Sequence, residues 1–286
     1  MIYLFLAVTA SSLILISFKV FKKLGVDSYT AITMNYLTGA FFGYNSLGWR
    51  VDYNSIISAN WFPMSVLTGL ILISGFVLLS LSTRKAGLAL TAISSRMAVI
   101  ISVSAGILFF NDKAGFMKMA GIIVAMLAFY MIFKKGEHEK RGFYTFLLPF
   151  TVFLFMGMND IVLKITQYYF TGSENETEQV RYASTSFLFA FLLGIPILFA
   201  RDRKRRVINP VSLISGVLLG LLNWYSTYFF LMGLAVTEVS VFVPLVNISV
   251  VGISSFTGYF LFREKLGLLN WIGVFTALLA IYLIAG

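Results

Sequence analysis

Three charged side chains interrupt otherwise apolar runs of this sequence. Arg96 lies in segment 87–110, about three residues from its centre, hence about 4.5 Å from the midplane of a helix crossing a bilayer. A central arginine costs about 2.5–3.5 kcal/mol on insertion scales, so it must face a partner or a wet cavity. A cation fixed there can hold a carboxylate or phosphate of a small substrate. The structural alternative is an internal salt bridge, or bonds to the carbonyls of a broken helix. Asp160 and Lys164 stand four apart in segment 143–168, on one helix face and within reach of each other. They read either as a coupling carboxylate for a proton or cation, poised by a lysine, or as a self-neutralised pair that lets the helix insert. Lys164, near the segment end, can also snorkel to the interface.

Neutral groups complete the candidate set. Asn159 precedes Asp160, and Asn247 and Asn223 bring amides into segments 237–262 and 209–233. Ser95 adjoins Arg96 within a face of small residues, Thr91, Ser95, Ala98, Ser102 and Gly106, which lets a second backbone approach closely. Trp224 and Tyr228 serve as packing or as an aromatic wall of a pocket. The expected substrate-binding residues are Arg96, Ser95, Asn159, Asn223, Trp224, Tyr228 and Asn247. Asp160 and Lys164 are the expected coupling residues or ion pair.

Elements that position these residues follow from composition. Hydrophobic residues make up 59% of the 286 and charged ones 12%, against about 25% charged in a soluble domain. Mean hydropathy is +0.88. An integral membrane protein is implied. Cysteine is absent and the single histidine, His138, lies in a charged loop, which excludes a Cys/His metal site and a Ser–His–Asp set within the membrane. No cofactor, metal or nucleic acid is called for; the net charge of +10 is explained by short basic loops. A spanning helix needs about 20 apolar residues. Ten segments qualify: 2–20, 28–46, 61–82, 87–110, 114–133, 143–168, 181–200, 209–233, 237–262 and 265–285. The first lacks a basic leader and a cleavage site, so it is expected to be retained.

A shift of 152 places lays 111–132 over 263–284 without a gap, with eight identities in 22 positions: Lys113/Lys265, Gly115/Gly267, Gly121/Gly273, Ala125/Ala277, Leu127/Leu279, Ala128/Ala280, Tyr130/Tyr282 and Ile132/Ile284. The chain is thus one unit built twice. Ten spans divide as five plus five, and an odd-numbered repeat inverts its second copy, with a binding site expected near the midplane. The expected fold is all-α and membrane-integral: ten transmembrane helices in two inverted repeats, 1–136 and 143–286, joined by a cytoplasmic linker at 137–142. Sixteen basic residues fall in the odd-numbered loops and four in the even-numbered ones or at their edges. The richer side is expected to be cytoplasmic, with both termini on the other side.

These features together resemble the drug/metabolite transporter superfamily, in particular its ten-span EamA-type members. The resemblance rests on the turns Asn111-Asp112-Lys113 and Arg263-Glu264-Lys265-Leu266, on Gly121 and Gly273 in the helices that follow, and on Lys19 and Lys164, which close the first helix of each half. Members often read Gly-Glu-Arg/Lys-Leu at the turn, a proline where Val99 and Val251 stand here, and an arginine near Asn35. The basic loop often found after the second span is reduced to Arg50. The first span has no acidic residue, so the glutamate-driven proton coupling of the small four-helix relatives does not carry over.

The resemblance implies a secondary transporter in the lipid bilayer of a prokaryotic cytoplasmic (inner) membrane. The expected cargo is a small polar or amphipathic metabolite, whether amino acid-like, nucleoside-like or an organic anion, exported by alternating access with proton or cation coupling. Proton-coupled efflux of cationic drugs is the alternative; a channel, a lipid-modifying enzyme and a non-transporting membrane protein fit less well. One chain holds both halves, so a monomer suffices, and a dimer stays open.

Overall fold

A computed structural model of the chain describes residues 2–48, 52–109, 115–133, 143–171, 175–200, 209–236, 239–264 and 266–285. The linker 137–142 with His138, the turn Asn111-Asp112-Lys113, Arg50 and Lys265 lie outside the described residues. The described chain holds helices and no strand: α1 (Ile2–Lys23), α2 (Ser28–Ser46), α3 (Tyr53–Ile57), α4 (Phe62–Lys85), α5 (Leu88–Met97), α6 (Val99–Phe109), α7 (Phe116–Phe133), α8 (Phe143–Thr166), α9 (Glu176–Phe199), α10 (Pro210–Val236), α11 (Val239–Phe260) and α12 (Leu268–Ala285). A π-helical turn, Gln167–Thr171, extends α8.

Six helical stretches among the described residues are long and apolar enough to cross a membrane: Ile2–Lys23, Phe62–Lys85, Leu88–Phe109, Phe146–Thr171, Thr177–Phe199 and Pro210–Phe230. Shorter apolar helices lie at Phe116–Ala128, Leu245–Phe260 and Leu268–Ile284. The protein is a multi-pass membrane protein. Large apolar side chains such as Ile123, Met126, Phe275 and Leu279 are exposed on α7 and α12.

Polar caps set several boundaries. The Asp27 carboxylate accepts from the Thr30 amide and hydroxyl at the start of α2. Asn209 accepts from the Ser212 amide at α10, where Pro210 takes the first position, which has no donor to lose. Asn175 caps α9, accepting from the Glu178 amide. That cap starts α9 at Glu176, five residues before the apolar run expected from 181. The loop expected at 47–60 contains the short helix α3, capped by Asp52. The span expected as one helix over 87–110 is divided at Ala98 into α5 and α6.

The chain forms two compact units, each drawn from both sequence halves. The first comprises residues 1–19, 78–157 and 225–286. Its core is apolar, built from Leu90, Ile93 and Met97 of α5, Ala125 and Ala128 of α7, Val251 of α11, and Val274, Ala277, Ala280, Ile281 and Ile284 of α12. Helices α7 and α12 lie side by side here. A Cβ at Gly121 would stand 2.8 Å from the Ile284 amide and 3.1 Å from the Ala280 carbonyl, so glycine lets the α7 and α12 backbones touch.

The second unit comprises residues 20–77 and 158–224. Helix α2 is its centre, flanked by α4, α9 and α10. The Tyr36 hydroxyl donates to the Leu72 carbonyl of α4. Phe187 and Ser184 of α9 fill the places that side chains at Gly39 and Gly43 would take. On α10, a Cβ at Gly216 would lie 2.7 Å from the Ala31 carbonyl, and one at Gly220 would lie 2.6 Å from that of Asn35. Trp61 and Tyr182 close one end, with the Trp61 indole donating to Glu178 and the Tyr182 hydroxyl paired with Thr68.

Candidate functional site

Within the first unit, Arg96 sits in the last turn of α5. Beyond it the helical ladder is interrupted: the Ala98 amide turns back to the Arg96 carbonyl, and α6 resumes with the Ile101 and Ser102 amides on the Ala98 carbonyl. No proline or glycine stands at the break, and Ala98 keeps right-handed helical angles (φ −52, ψ −22), so the interruption is a loosened turn rather than a sharp kink. Carbonyls at a helix C-terminus carry partial negative charge, which suits a guanidinium. The Arg96 Nη1 donates to Asn247 Oδ1 of α11 at 3.3 Å. Asn247 is buried, 8% exposed, and Arg96 is half-buried. Facing helices thus place a cation and an oriented amide together at the level where α5 gives way to α6. A guanidinium and an amide side by side have the chemistry to receive an anionic or hydrogen-bonding group.

The other residues expected at a site are distributed as follows. Ser95 spends its hydroxyl on the Ala92 carbonyl of its own helix, 2.9 Å away. Tyr228 is 41% exposed and makes an edge contact with Phe229, which stacks on Tyr225. Both belong to the first unit. In the second unit Asn159, Asp160 and Lys164 are half-buried on α8, and the Asn159 carbonyl oxygen has no protein partner among the described residues. Asn223 is half-buried; Trp224 is 7% exposed, its ring 3.0 Å from the place a Cβ at Gly43 would take. Trp224 is a packing residue of α10 against α2.

A second polar centre in the first unit joins residues the sequence offers only separately. The Glu264 carboxylate accepts from Lys19 Nζ at 2.6 Å, and from the Leu88 and Ala89 amides at 2.6 and 3.2 Å. It therefore caps α5, whose own cap residue Gly87 supplies no side chain. Gly87 has φ +116, a conformation open to glycine, and a Cβ there or at Gly258 would come within 2.9 Å of the carboxylate. Arg263, at φ +52, turns the chain after α11 and delivers Glu264, whose amide bonds the Gly258 carbonyl. Lys19 also donates to the Thr83 carbonyl and lies over the Phe262 ring. The acidic turn and the helix-closing lysine were each visible in the sequence. Their meeting, across 245 residues, was not.

Over 98% of its length the chain is 25% identical to an uncharacterised protein of Haemophilus influenzae, covering 96% of that protein. A solved crystal structure superposes with a TM-score of 0.63 at 12% identity, covering 99% of this chain and 94% of the other, a likeness of fold alone. The model of the EamA-like transporter family matches residues 143–286, half of the chain. With that match over half of its length, the chain belongs to the EamA-like transporter family.

Proposed function

We propose that this protein is a secondary transporter that exports a small polar or amphipathic metabolite across a prokaryotic cytoplasmic membrane by alternating access. The observation that carries the reading is Arg96, held by Asn247 where the α5 ladder ends and α6 begins. Interrupted helices near the midplane expose backbone groups to cargo, and a charge within a span lines a substrate path more often than it serves packing. A guanidinium beside an oriented amide offers several donors, the chemistry that recognises an anionic or zwitterionic group of the cargo. Amino acid-like, nucleoside-like and organic-anion cargoes all supply one.

Ten spans in two inverted repeats is the architecture that goes with this reading. It is supported by the pairing of helices at equivalent places in the two halves: α7 with α12, α5 with α11, and α2 with α9. The basic loops favour both termini outside the cytoplasm. Asp160, a half-buried carboxylate on α8, is the residue proposed for proton or cation coupling, with Lys164 one turn away. One chain holds both halves and suffices as a monomer.

The test is the melting temperature of the purified protein against amino acids, nucleosides, organic acids and cationic drugs, in wild type and Arg96→Ala. A ligand present at a hundred times its Kd adds about 2.7 kcal/mol to the stability of the state that binds it. Stabilisation by an anionic or zwitterionic compound, lost in Arg96→Ala, is expected. Stabilisation by cations that survives the substitution would make Arg96 structural and favour cation efflux with Asp160 as counter-charge.

A further inference from the structure

Asn35 is the most deeply buried amide among the described residues, at 0% exposed, and neither its oxygen nor its nitrogen has a hydrogen-bond partner there. An amide can accept two bonds and donate two, and burying it with none is among the costlier things a fold can do. Its neighbours on α2 do not share the problem. Thr33 and Thr38 bond the Tyr29 and Met34 carbonyls of their own helix, and Tyr36 bonds Leu72. A leucine of similar size would fill the same space without unmet polar atoms.

The surroundings of Asn35 are built for close approach. Gly216 and Gly220 of α10 stand against the Ala31 and Asn35 carbonyls and the Met34 and Thr38 side chains of α2. Along this seam α10 offers glycine rather than a side chain, and a hydrogen bond between the two helices lies at its end, from the Asp27 amide to the Ser212 hydroxyl. A glycine surface has no side chain of its own to unthread, so the two helices can part and close there. We infer that Asn35 is a hydrogen-bonding residue of the transport path: its amide meets the polar edge of the cargo, a group offering donor and acceptor side by side, in a state in which α2 and α10 are apart. The structure described here is the state in which that seam is shut. The inference rests on the transport reading above.

The chain contains no cysteine, so a thiol introduced at one position is the sole target of N-ethylmaleimide. Four variants of the full chain in liposomes are compared: Asn35→Cys; Ile73→Cys, a 1% exposed core control of the same unit; Leu24→Cys, 61% exposed; and Ser95→Cys beside Arg96. An open state populated at about 0.1–10% makes Asn35→Cys react at that fraction of the Leu24→Cys rate. Ile73→Cys is expected to stay unlabelled. If Asn35→Cys stays unlabelled while Ser95→Cys reacts, the path exists without Asn35, which overturns the inference and spares the transport reading. If neither reacts, both fall. Should Asn35→Cys not fold, Asn35→Leu decides: removal of unmet polar atoms raises the melting temperature, whereas a fall shows the amide to be satisfied in the closed state and overturns the inference.

Discussion

The two compact units hold polar groups in an apolar solvent by different means. The first keeps an apolar core and gathers its polarity into two charged centres, Arg96 with Asn247 and Lys19 with Glu264. The second carries no such charged centre on α2. Its central helix is threaded with buried neutral groups, Ser28, Thr30, Thr33, Asn35 and Thr38, and α9 adds Ser184, Thr185 and Ser186. Most of these hydroxyls bond their own helix one turn back, a bond that survives when helices slide or part. Glu264, by contrast, ties three separate parts of the chain together, and cannot be disturbed at one without the others. Charged contacts between distant parts of the chain mark the first unit; along α2 of the second, glycine contacts and hydroxyls bonded to their own helix take that place.

Removing the clamp is the strongest way to break that contrast. Glu264→Ala leaves the Lys19 ammonium, 19% exposed, without its carboxylate and α5 without its cap. Breaking a buried pair from one side costs about 3–5 kcal/mol, and a lost cap about 1 kcal/mol. Glu264→Gln keeps an acceptor for the α5 amides and is expected to recover part of the loss. Denaturant or thermal unfolding of the purified variants measures both. If Glu264→Ala unfolds like wild type, charge does not hold the first unit together and the contrast is void.

The second unit should respond to bulk instead. A methyl at Gly216 has to displace the Ala31 carbonyl, 2.7 Å away, or the Met34 side chain. Overpacking of this kind costs about 1–3 kcal/mol. Gly252 of α11 is the control in the first unit, since nothing lies within 4 Å of its Cβ position. There Gly252→Ala is expected to stabilise by about 0.8–1.0 kcal/mol through helix propensity. The pair should move the melting temperature in opposite directions. Movement in the same direction would mean that α2 and α10 tolerate separation even in the resting protein.

Much of the helical layout could be read from the sequence, because a run of about 20 apolar residues leaves few alternatives in a membrane. Gly121 and the alanines after it could be picked out because they keep register with Gly273 and its alanines, and Gly121 stands against Ala280 and Ile284 where α7 meets α12. Boundaries set by caps rather than hydropathy were missed, as at Asn175, where the acidic first turn of α9 looks like loop. Arg96 and Asn247 could each be singled out, since an intramembrane charge and a mid-span amide stand out against apolar neighbours. Their contact could not, because it depends on how α5 and α11 are rotated about their axes. The interruption at Ala98 carries no proline or glycine to announce it. Asn35 could be noted in the sequence only as standing near the place of an arginine in related proteins; its full burial without a hydrogen-bond partner depends on the helices packed around it.

The smallest expected effect sharpens the contrast most. The Tyr36 hydroxyl is fully buried and donates to the Leu72 carbonyl at 2.7 Å, joining α2 to α4. Leu72 lies inside α4, so its carbonyl keeps the ladder bond from the amide four residues on, and Tyr36→Phe orphans no acceptor. The ring retains its packing against Phe76 and Phe187. Interhelical hydrogen bonds in membrane proteins average about 0.6 kcal/mol and reach about 1.7. Tyr36→Phe is therefore expected to cost about 0.6 kcal/mol in unfolding, far below Glu264→Ala. A cost beyond the upper end of that range would show that α2 is pinned to α4 by a single hydroxyl. Any rearrangement would then be confined to the face of α2 that meets Gly216 and Gly220 of α10.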